Sequence, residues 1–349
     1  MNTRNFGRTG VKVSPLCLGC MNFGGRTDAA TSKQIIAKAL EADINFIDTA
    51  NVYGHDPEDF NVGRGRSEQI VGEALKELGV REQVFLASKA HFPMNDDPNA
   101  QGNSRKHIIS SCEASLKRLK TDYIDLFQLH HPSNDIPIDE TLHALDDLVR
   151  RGLVRYIGTS SFAAWQLMES LWCAHDLKLN RVVSEQPAYN LLDRRIEREL
   201  VPMAQTYGLA IIPWSPLAGG FLTGKYQPNQ ELPSDSRFAR FWKGLETRHF
   251  NEAALNVLTT LTNLSNEKGC TPAQLATAWV MQQAGITSVI MGPRTETQLE
   301  SYLGSLELSL SSDELAQLDA AAPAGRTTVP YYGADGMMWR TWGPHQHRW

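Results

Sequence analysis

The stretch PLCLGCMNFGGR, residues 15–26, decides the fold. Its first part, Pro15–Cys20, is a short apolar run that predicts a buried strand. In a doubly wound nucleotide-binding sheet, the first strand is followed at once by a G-x-G-x-x-G turn. The residues Cys20–Arg26 that follow here lack that spacing. The stretch therefore favours the other architecture that is built from repeated strand–helix units, a closed (β/α)8 barrel.

Further apolar runs lie along the chain and alternate with amphipathic helical patterns. The predicted strands are Pro15–Cys20, Asn45–Asp48, Val84–Lys89, Ile124–His130, Val154–Thr159, Arg181–Glu185, Leu209–Trp214 and Ser288–Met291. The predicted helices cover residues 31–42, 67–79, 105–119, 139–151, 164–175, 194–207, 252–268, 272–284, 297–303 and 312–321. Thr31 and Ser67 are the expected N-caps of the first two helices. With a hairpin turn at Arg8–Gly10, this order predicts an α/β fold: a (β/α)8 TIM barrel with an N-terminal β-hairpin, as a single domain over residues 1–349.

Three long loops interrupt the alternation: Gly54–Gly65, His91–Asn103 and Lys225–Phe250. Loops of this length in a compact domain usually serve as lids or binding loops, so we expect them to form the substrate pocket. The tail that begins at about residue 323 is rich in aromatic residues and is expected to pack across the barrel. Its aromatic residues are Tyr331, Tyr332, Trp339, Trp342 and Trp349.

The composition is that of an ordinary globular protein. Of 349 residues, 42% are hydrophobic, and 34 Lys and Arg against 39 Asp and Glu give a net charge of −5. This balance provides no overall attraction to nucleic acid or to an anionic membrane, and neither is expected as a partner. No apolar run approaches the ~18 residues of a membrane span, and the N-terminus lacks the apolar core of a secretion signal. Five scattered cysteines do not form a disulfide framework, so a cytoplasmic location is expected.

Cys17 and Cys20 have the C-x-x-C spacing of a redox or zinc half-site. The sequence offers no second pair, and their odd separation places them on opposite faces of a strand. We therefore expect both to be core residues, and no metal is predicted.

Four polar residues stand at or just after the ends of consecutive strands: Asp48, Tyr53, Lys89 and His130. In a barrel the carboxyl ends of all strands meet at one rim, so these side chains are expected to converge. A phenol has a reference pKa of about 10 and is a poor acid at neutral pH unless a nearby cation stabilises the phenolate. Lys89 is a candidate for that cation, Asp48 for its partner, and His130 for a group that orients a reacting oxygen.

Each of these residues taken alone has a structural explanation. A strand-ending Asp is commonly a helix cap or turn former, a lone Tyr packs and a lone Lys is solvated. His130 is as readily a core histidine or a metal ligand. Their joint occurrence on neighbouring strand ends favours proton transfer.

The same residues carry a resemblance to a known family. The segments FIDTA (46–50), YG (53–54), SE (67–68), SK (88–89) and QLH (128–130) resemble the active-site pattern of the aldo-keto reductase superfamily. The similarity covers nearly the whole chain, up to about residue 299. It implies a (β/α)8 barrel, NADP(H) as cofactor and reversible reduction of a small carbonyl substrate. The implied roles are Tyr53 as general acid, Lys89 as the group that adjusts its pKa, Asp48 as the partner of Lys89, and His130 as the group that orients the substrate.

The resemblance also implies which residues bind cofactor and substrate. Trp214 would stack under the nicotinamide ring, Ser160-Ser161 stands where the family has a Ser-Asn pair, and Ser301-Tyr302 where it often has Glu-Asn. The implied cofactor residues are Met21, Asp48, Ser160, Ser161, Gln186, Trp214, Ser215, Leu217, Gly219, Lys225, Arg237, Gly292, Arg294 and Gln298. The implied substrate residues are Phe23, Tyr53, His130 and His131. Arg237 and Arg294 are forked cations suited to the adenosine 2′-phosphate, so NADPH is expected in preference to NADH.

Two other functions are alternatives to this one. Some members of the same fold act as regulatory subunits that bind NADPH, associate with channels or other proteins and turn over slowly. A metal-dependent barrel hydrolase needs more strand-end carboxylates and histidines than the sequence offers. No particular oligomeric state is predicted.

Overall fold

The computed structural model describes residues 2–56, 59–226, 228, 230–241 and 249–329. Its strands are β1 (Arg4–Asn5), β2 (Lys12–Val13), β3 (Leu16–Gly19), β4 (Phe46–Asp48), β5 (Phe85–Ala90), β6 (Ile124–Leu129), β7 (Val154–Ser160), β8 (Val182–Gln186), β9 (Ala210–Ile211) and β10 (Val289–Met291). β1 and β2 form an antiparallel hairpin, and the others form an 8-stranded parallel sheet in the order β10-β3-β4-β5-β6-β7-β8-β9. The two edges of that sheet meet, because Thr287 N donates to Ile211 O at 2.8 Å and Ile290 N to Pro213 O at 2.9 Å. The predicted (β/α)8 barrel with an N-terminal hairpin is confirmed.

Helices follow the strands in alternation. They are α1 (Ala29–Glu41), α2 (Arg66–Leu78), α3 (Arg105–Leu119), α4 (Ile138–Arg150), α5 (Ala164–Asp176), α6 (Leu200–Tyr207), α7 (Arg237–Phe241), α8 (Glu252–Lys268), α9 (Pro272–Gln282), α10 (Glu296–Gly304) and α11 (Ser312–Ala321). Each predicted helix corresponds to one of these, except that the predicted helix 194–207 divides into a 3-10 turn at Arg195–Glu197 and α6. Pro202 explains the division, since proline is tolerated only in the first turn of a helix, and α6 begins two residues before it.

Both predicted N-caps are wrong. α1 begins earlier than expected, and Asp28 caps it by accepting a hydrogen bond from Thr31 N at 2.9 Å. Ser67 lies inside α2, whose N-cap is Gly65. The Ser67 hydroxyl donates instead to Cys20 O at 2.8 Å, which ties α2 to the end of β3.

The amino-terminal end of the barrel, where the strands begin, is closed by aromatic rings. Phe6, from the hairpin, packs against Phe46 and Phe85, with ring centroids 5.7 and 4.9 Å away, and those two rings lie 5.2 Å apart. Phe46 and Phe85 are the first residues of β4 and β5, so this plug fills the amino-terminal end of the barrel. A binding site is therefore left to the opposite rim, where the strands end.

The two cysteines of the C-x-x-C spacing are both buried and free. Cys17 belongs to the inner core cluster with the aromatic plug, and Cys20 to the larger cluster that packs between the sheet and the helices. The prediction that they lie on opposite faces of a strand is confirmed.

The predicted tail begins at about residue 323, and its five aromatic residues all lie outside the described residues, which end at Val329. The single-domain organisation over residues 1–349 therefore stays a prediction. Just before that end, Thr328 N donates to Leu192 O at 2.9 Å, so the last described residues lie beside the segment that follows β8. In the part of the chain that the structure describes, no helix has the length and apolarity needed to cross a membrane.

Candidate active site

A cavity of about 730 Å³ opens at the carboxyl ends of the barrel strands. Most of the residues predicted for the site line it. They are Met21, Asp48, Tyr53, His130, His131, Ser160, Ser161, Gln186, Trp214, Ser215, Leu217, Gly219, Lys225, Arg237, Gly292, Arg294 and Gln298. All three long loops also contribute lining residues, among them Phe60, Phe92 and Lys225.

Asp48, Lys89, Tyr53 and His130 converge at the floor of this cavity, as predicted from their strand ends. Lys89, fully buried in β5, donates from Nζ to Asp48 Oδ1 at 2.5 Å, to the carbonyl oxygen of Thr49 at 2.8 Å and to Tyr53 Oη at 3.4 Å. Tyr53 Oη lies 3.2 Å from Nε2 of His130. The phenol oxygen is thus held between an ammonium group and an imidazole nitrogen.

A tight turn after β4 brings Tyr53 back over the barrel. Tyr53 N donates to Ala50 O at 3.1 Å, and the next residue, Gly54, has a φ of +92°. A Cβ atom at Gly54 would lie 2.6 Å from Ser67 N, so only glycine fits between the tyrosine and the start of α2.

The second oxygen of Asp48 is held by two amides. Gln128 Nε2 and Gln186 Nε2 each donate to Asp48 Oδ2 at 3.1 Å, and Gln186 Nε2 also donates to Gln128 Oε1 at 3.2 Å. Both N–H groups of Gln186 are therefore used within the network, which leaves its Oε1 for a ligand. In the sequence Gln128 stands out only as part of the motif QLH (128–130), and its hydrogen bond to Asp48 assigns it to the floor of the site.

Burial and charge act in opposite directions on these groups. Burial raises the pKa of Tyr53, while the charge of Lys89 opposes that rise. Burial alone would lower the pKa of Lys89, but its interactions with Asp48 and Tyr53 outweigh burial and raise the pKa. The pKa of His130 falls well below its ordinary value through burial and through the charge of Lys89. Lys89 is therefore a permanent cation, and His130 a neutral imidazole at physiological pH.

His130 Nδ1 has no hydrogen-bond partner among the described residues. The surroundings of Nδ1 therefore do not fix the tautomer of the ring. Nε2 can carry the ring hydrogen and donate it toward the cavity.

The wall beside His130 is aromatic and uncharged. Phe92 packs against His130 and His131, with ring centroids 4.8 and 5.3 Å apart. Asn103 holds this wall, since its Oδ1 lies 2.9 Å from His91 Nδ1 and its Nδ2 donates to His131 O at 2.8 Å. Burial lowers the pKa of His131 to about 3, so its ring is neutral.

Phe23 is the predicted substrate residue that does not reach the cavity. Its side chain is fully buried in the core cluster between the barrel and the helices. The chain turns directly after β3, where Phe23 N donates to Cys20 O at 3.1 Å. This places the ring in the core, and Phe60 and Phe92 are the phenylalanines that line the cavity instead.

The other end of the cavity is cationic, with Arg26, Lys225, Arg237 and Arg294 among its lining residues. Asp235 bridges part of this group. Arg294 Nη2 lies 2.8 Å from Asp235 Oδ2. Arg294 Nη1 donates to the Asp235 carbonyl oxygen at 3.1 Å, and the same oxygen accepts a hydrogen bond from Arg26. The hydrogen bond from Arg294 lowers the pKa of Asp235. Neither Asp235 nor Arg26 was singled out from the sequence.

Strained backbone connects the two ends. Ser215, Ala218, Gly219 and Gly220 all have positive φ, of +61°, +47°, +68° and +95°. For Ser215 and Ala218, which are not glycines, this conformation is strained and persists only where the surroundings hold it, and such residues concentrate at binding sites. At Gly220 a Cβ atom would lie 2.9 Å from Cε of Lys225, so glycine lets that lysine cross the turn.

The sequence model of the aldo/keto reductase family matches residues 15–323, a span that includes every residue named for the candidate active site. The chain belongs to the aldo/keto reductase family. Among similar proteins, an uncharacterised oxidoreductase of Bacillus subtilis is 39% identical over 332 residues, which cover 93% of this chain and 98% of that protein.

Other relatives of this aldo/keto reductase carry more specific names. L-glyceraldehyde 3-phosphate reductase of Escherichia coli K12 is 33% identical over 327 residues, 91% of this chain and 92% of that enzyme. A probable voltage-gated potassium channel subunit beta of rice is 37% identical over 311 residues, 88% of this chain and 92% of that protein. The relatives thus include a named reductase and a named channel subunit.

Proposed function

We propose that this aldo/keto reductase is a cytoplasmic, NADPH-dependent enzyme that reduces small aldehydes or ketones to alcohols. The observation that carries the proposal is the position of Tyr53 Oη, 3.4 Å from Lys89 Nζ and 3.2 Å from His130 Nε2, at the floor of an open cavity. A phenol between a buried cation and a neutral imidazole is suited to give a proton to an oxygen atom.

The residues around the cavity fit a nicotinamide dinucleotide. One end offers an indole ring at Trp214, hydroxyl groups at Ser160 and Ser161 and the Oε1 atom of Gln186, which suit an aromatic ring that carries a carboxamide. The other end offers Lys225, Arg237 and Arg294, which suit phosphate groups. When bound, the reduced nicotinamide supplies the hydride that the carbonyl carbon receives.

Tyr53 supplies the proton. As the carbonyl oxygen gains negative charge, the proton leaves Tyr53 Oη for that oxygen, and the charge left on the phenolate faces the Lys89 ammonium group. Lys89 keeps its charge because Asp48 holds it, and Gln128 and Gln186 hold Asp48. The cation therefore stabilises the phenolate without giving up its own proton.

His130 orients the carbonyl group in this proposal. Because its pKa is well below neutral, His130 does not compete with Tyr53 as an acid. Its Nε2–H is placed to donate to the same oxygen that Tyr53 protonates. Phe60, Phe92 and His131 enclose the rest of the substrate in an apolar, uncharged wall, which favours a substrate with a neutral hydrophobic body.

Reduction of a carbonyl compound with NADPH by the purified protein tests the proposal directly. A panel of aromatic and aliphatic aldehydes is suitable, with NADH as the comparison cofactor and Tyr53→Phe as the control protein. NADPH oxidation that requires both the aldehyde and Tyr53 supports the function. Absence of any carbonyl-dependent oxidation by the unaltered protein would contradict it.

A regulatory subunit with slow turnover is the second candidate. The observation in its favour is the 37% identity to a probable channel subunit beta. The two functions differ in turnover: tight NADPH binding with a very slow reaction on every aldehyde of the panel favours the regulatory role.

A further inference from the structure

Glu185 is a fully buried residue at the end of β8 that the proposed mechanism does not use. Its Oε2 accepts a hydrogen bond from Thr159 Oγ1 at 2.5 Å, and its Oε1 accepts one from Phe162 N at 3.0 Å. The N–H groups of Ser161 and Gln186 lie close enough to favour a charge on this carboxyl group, although Ser161 N donates its hydrogen bond to the carbonyl oxygen of Gln186 at 3.3 Å. Removing a carboxyl group from water is unfavourable, so a buried one with several donors indicates a specific task.

The donors lie in or beside one short turn: Thr159 is in β7, Ser161 and Phe162 follow that strand, and Gln186 is in the neighbouring strand β8. Ser160–Phe162 connects β7 to α5, and Ser161 there has a φ of +64°. Non-glycine residues adopt this left-handed conformation only when their surroundings hold them in it. Ser160 Oγ also donates to the carbonyl oxygen of Gln186 at 2.9 Å, so the turn is fastened to β8.

The pairing of the strands explains how Glu185 reaches the turn. Ile157 pairs with Val182, but Thr159 pairs with Glu185, so β8 contains one extra residue between the two pairs. Such bulges redirect side chains and are common beside active sites. Ser160 and Ser161 line the cavity, whereas Glu185 lies beneath them and is not among the lining residues.

We infer that Glu185 is a positioning residue, whose carboxyl group holds the Ser160–Phe162 turn in the shape that presents Ser160 and Ser161 to the nicotinamide end of the cofactor. The inference rests on the proposed function, because it needs a nicotinamide there. Glu185 acts on the cofactor only through the turn. Its loss should therefore weaken contacts at the nicotinamide end and leave the phosphate end unchanged.

The protonation state of Glu185 indicates a suitable conservative variant. Burial raises the pKa of Glu185 to about 8, although the hydrogen bonds from Thr159 and from the backbone N–H groups favour the charged form. At pH 7 the group is mostly neutral, so a glutamine of the same shape keeps an acceptor for Phe162 N. The NH2 group of that glutamine faces the Thr159 hydroxyl. This hydroxyl can accept a hydrogen bond from the NH2 group because its own hydrogen can turn toward Ser184 O, 3.2 Å away.

The experiment compares Glu185→Met, which keeps the length but has no acceptor oxygen, with Glu185→Gln. Ser184→Ala is the matched control on the same strand, since the Ser184 hydroxyl is buried without a partner among the described residues. Two ligands are titrated: NADPH, and adenosine 2′,5′-bisphosphate, which shares the adenine end but has no nicotinamide. The kcat for reduction of one aldehyde is measured alongside.

For Glu185→Met we expect the Kd of NADPH to rise about tenfold and the kcat to fall, while the Kd of the bisphosphate stays within about twofold. Glu185→Gln and Ser184→Ala should stay close to the unaltered protein. Equal weakening of both ligands, no weakening of either, or a Glu185→Gln protein as defective as Glu185→Met would each overturn the inference. If the unaltered protein binds NADPH and reduces no carbonyl compound, the proposed function fails, while the split between the two ligands still decides the role of Glu185. If it binds no nicotinamide cofactor, both fail.

Thr159→Val covers the case in which Glu185→Met does not fold. This variant removes one donor to Glu185 and keeps the side-chain shape. A smaller loss of NADPH affinity with unchanged bisphosphate affinity supports the inference. Unchanged affinity for both ligands overturns it.

Discussion

Tyr53 and His130 meet edge to face, with the phenol oxygen 3.2 Å from the imidazole Nε2, although 77 positions separate them in the chain. The barrel creates this contact, because β4 and β6 flank β5 and all three strands end at the same rim. A substrate oxygen between the two groups could accept a hydrogen bond from each of them. Tyr53 can transfer its proton to that oxygen, whereas the neutral imidazole of His130 keeps its hydrogen.

Tyr53→Phe should lower kcat for carbonyl reduction by at least about 10²-fold, since general acids typically contribute 10²–10⁴ in rate. The ring keeps its packing, so the Kd of NADPH should hardly change. Steady-state kinetics together with quenching of tryptophan fluorescence measure the two quantities. A variant that kept most of its kcat would show that another group supplies the proton.

Lys89→Met should also depress turnover strongly, because the phenolate loses its cation. It should lower the free energy of unfolding as well, by about 3–5 kcal/mol, since it leaves Asp48 as a buried charge without its partner. Asp48→Asn should cost less activity, because Lys89 stays in place. The double variant is the control: we expect it to regain stability but not activity. Equal activity of Lys89→Met and the unaltered protein between about pH 6 and pH 9 would refute the pairing.

Arg294→Ala should weaken NADPH binding by roughly ten- to a hundredfold, the loss of one charge-assisted hydrogen bond, and leave NADH binding unchanged. It also exposes the phosphate to the unpaired carboxylate of Asp235. Arg237→Ala should act in the same direction. Arg150→Ala, an exposed arginine on α4, is the control. If either site variant lost NADPH and NADH affinity equally, that arginine would have a structural role.

His131→Asn should make the protein less sensitive to acid. Burial lowers the pKa of His131 from 6.5 to about 3, so the unfolded chain takes up a proton at this position before the folded one does. The stability that the neutral ring provides is present above pH 6.5 and is lost as the pH falls toward 3. Urea unfolding at pH 7 and pH 5 should show a slope smaller by up to about 1.4 kcal/mol per pH unit in the variant. An unchanged slope in His131→Asn would contradict the assignment.

The site residues that lie at or near strand ends could be predicted from the sequence. Asp48, Lys89 and His130 follow apolar runs, and once the barrel is chosen their convergence follows from topology alone. Phe23 was misplaced because the same turn after β3 can direct a ring toward the core or the cavity, and hydrophobic pattern does not distinguish the two.

Glu185 and Asp235 show what the sequence left out. Glu185 carried a usable signal, a carboxyl group at the end of a predicted buried strand, which is the pattern that singled out Asp48. Its proposed role depends on its hydrogen bonds with Thr159 and Phe162. These contacts follow from the bulge between β7 and β8, which the sequence does not reveal. Asp235 lies in a long loop, where no periodicity fixes which side chain faces Arg294.

The plug of Phe6, Phe46 and Phe85 has a practical consequence for handling the protein on a surface. The hairpin that supplies Phe6 lies at the end of the barrel opposite the cavity, and Asn2 and Thr3 are exposed beside it. A tether attached through these first residues should hold every molecule with its mouth pointing into solution. In a protein immobilised in this orientation, the cavity should stay fully accessible to ligands. Coupling at random through lysines would block the cavity opening in a fraction of the molecules.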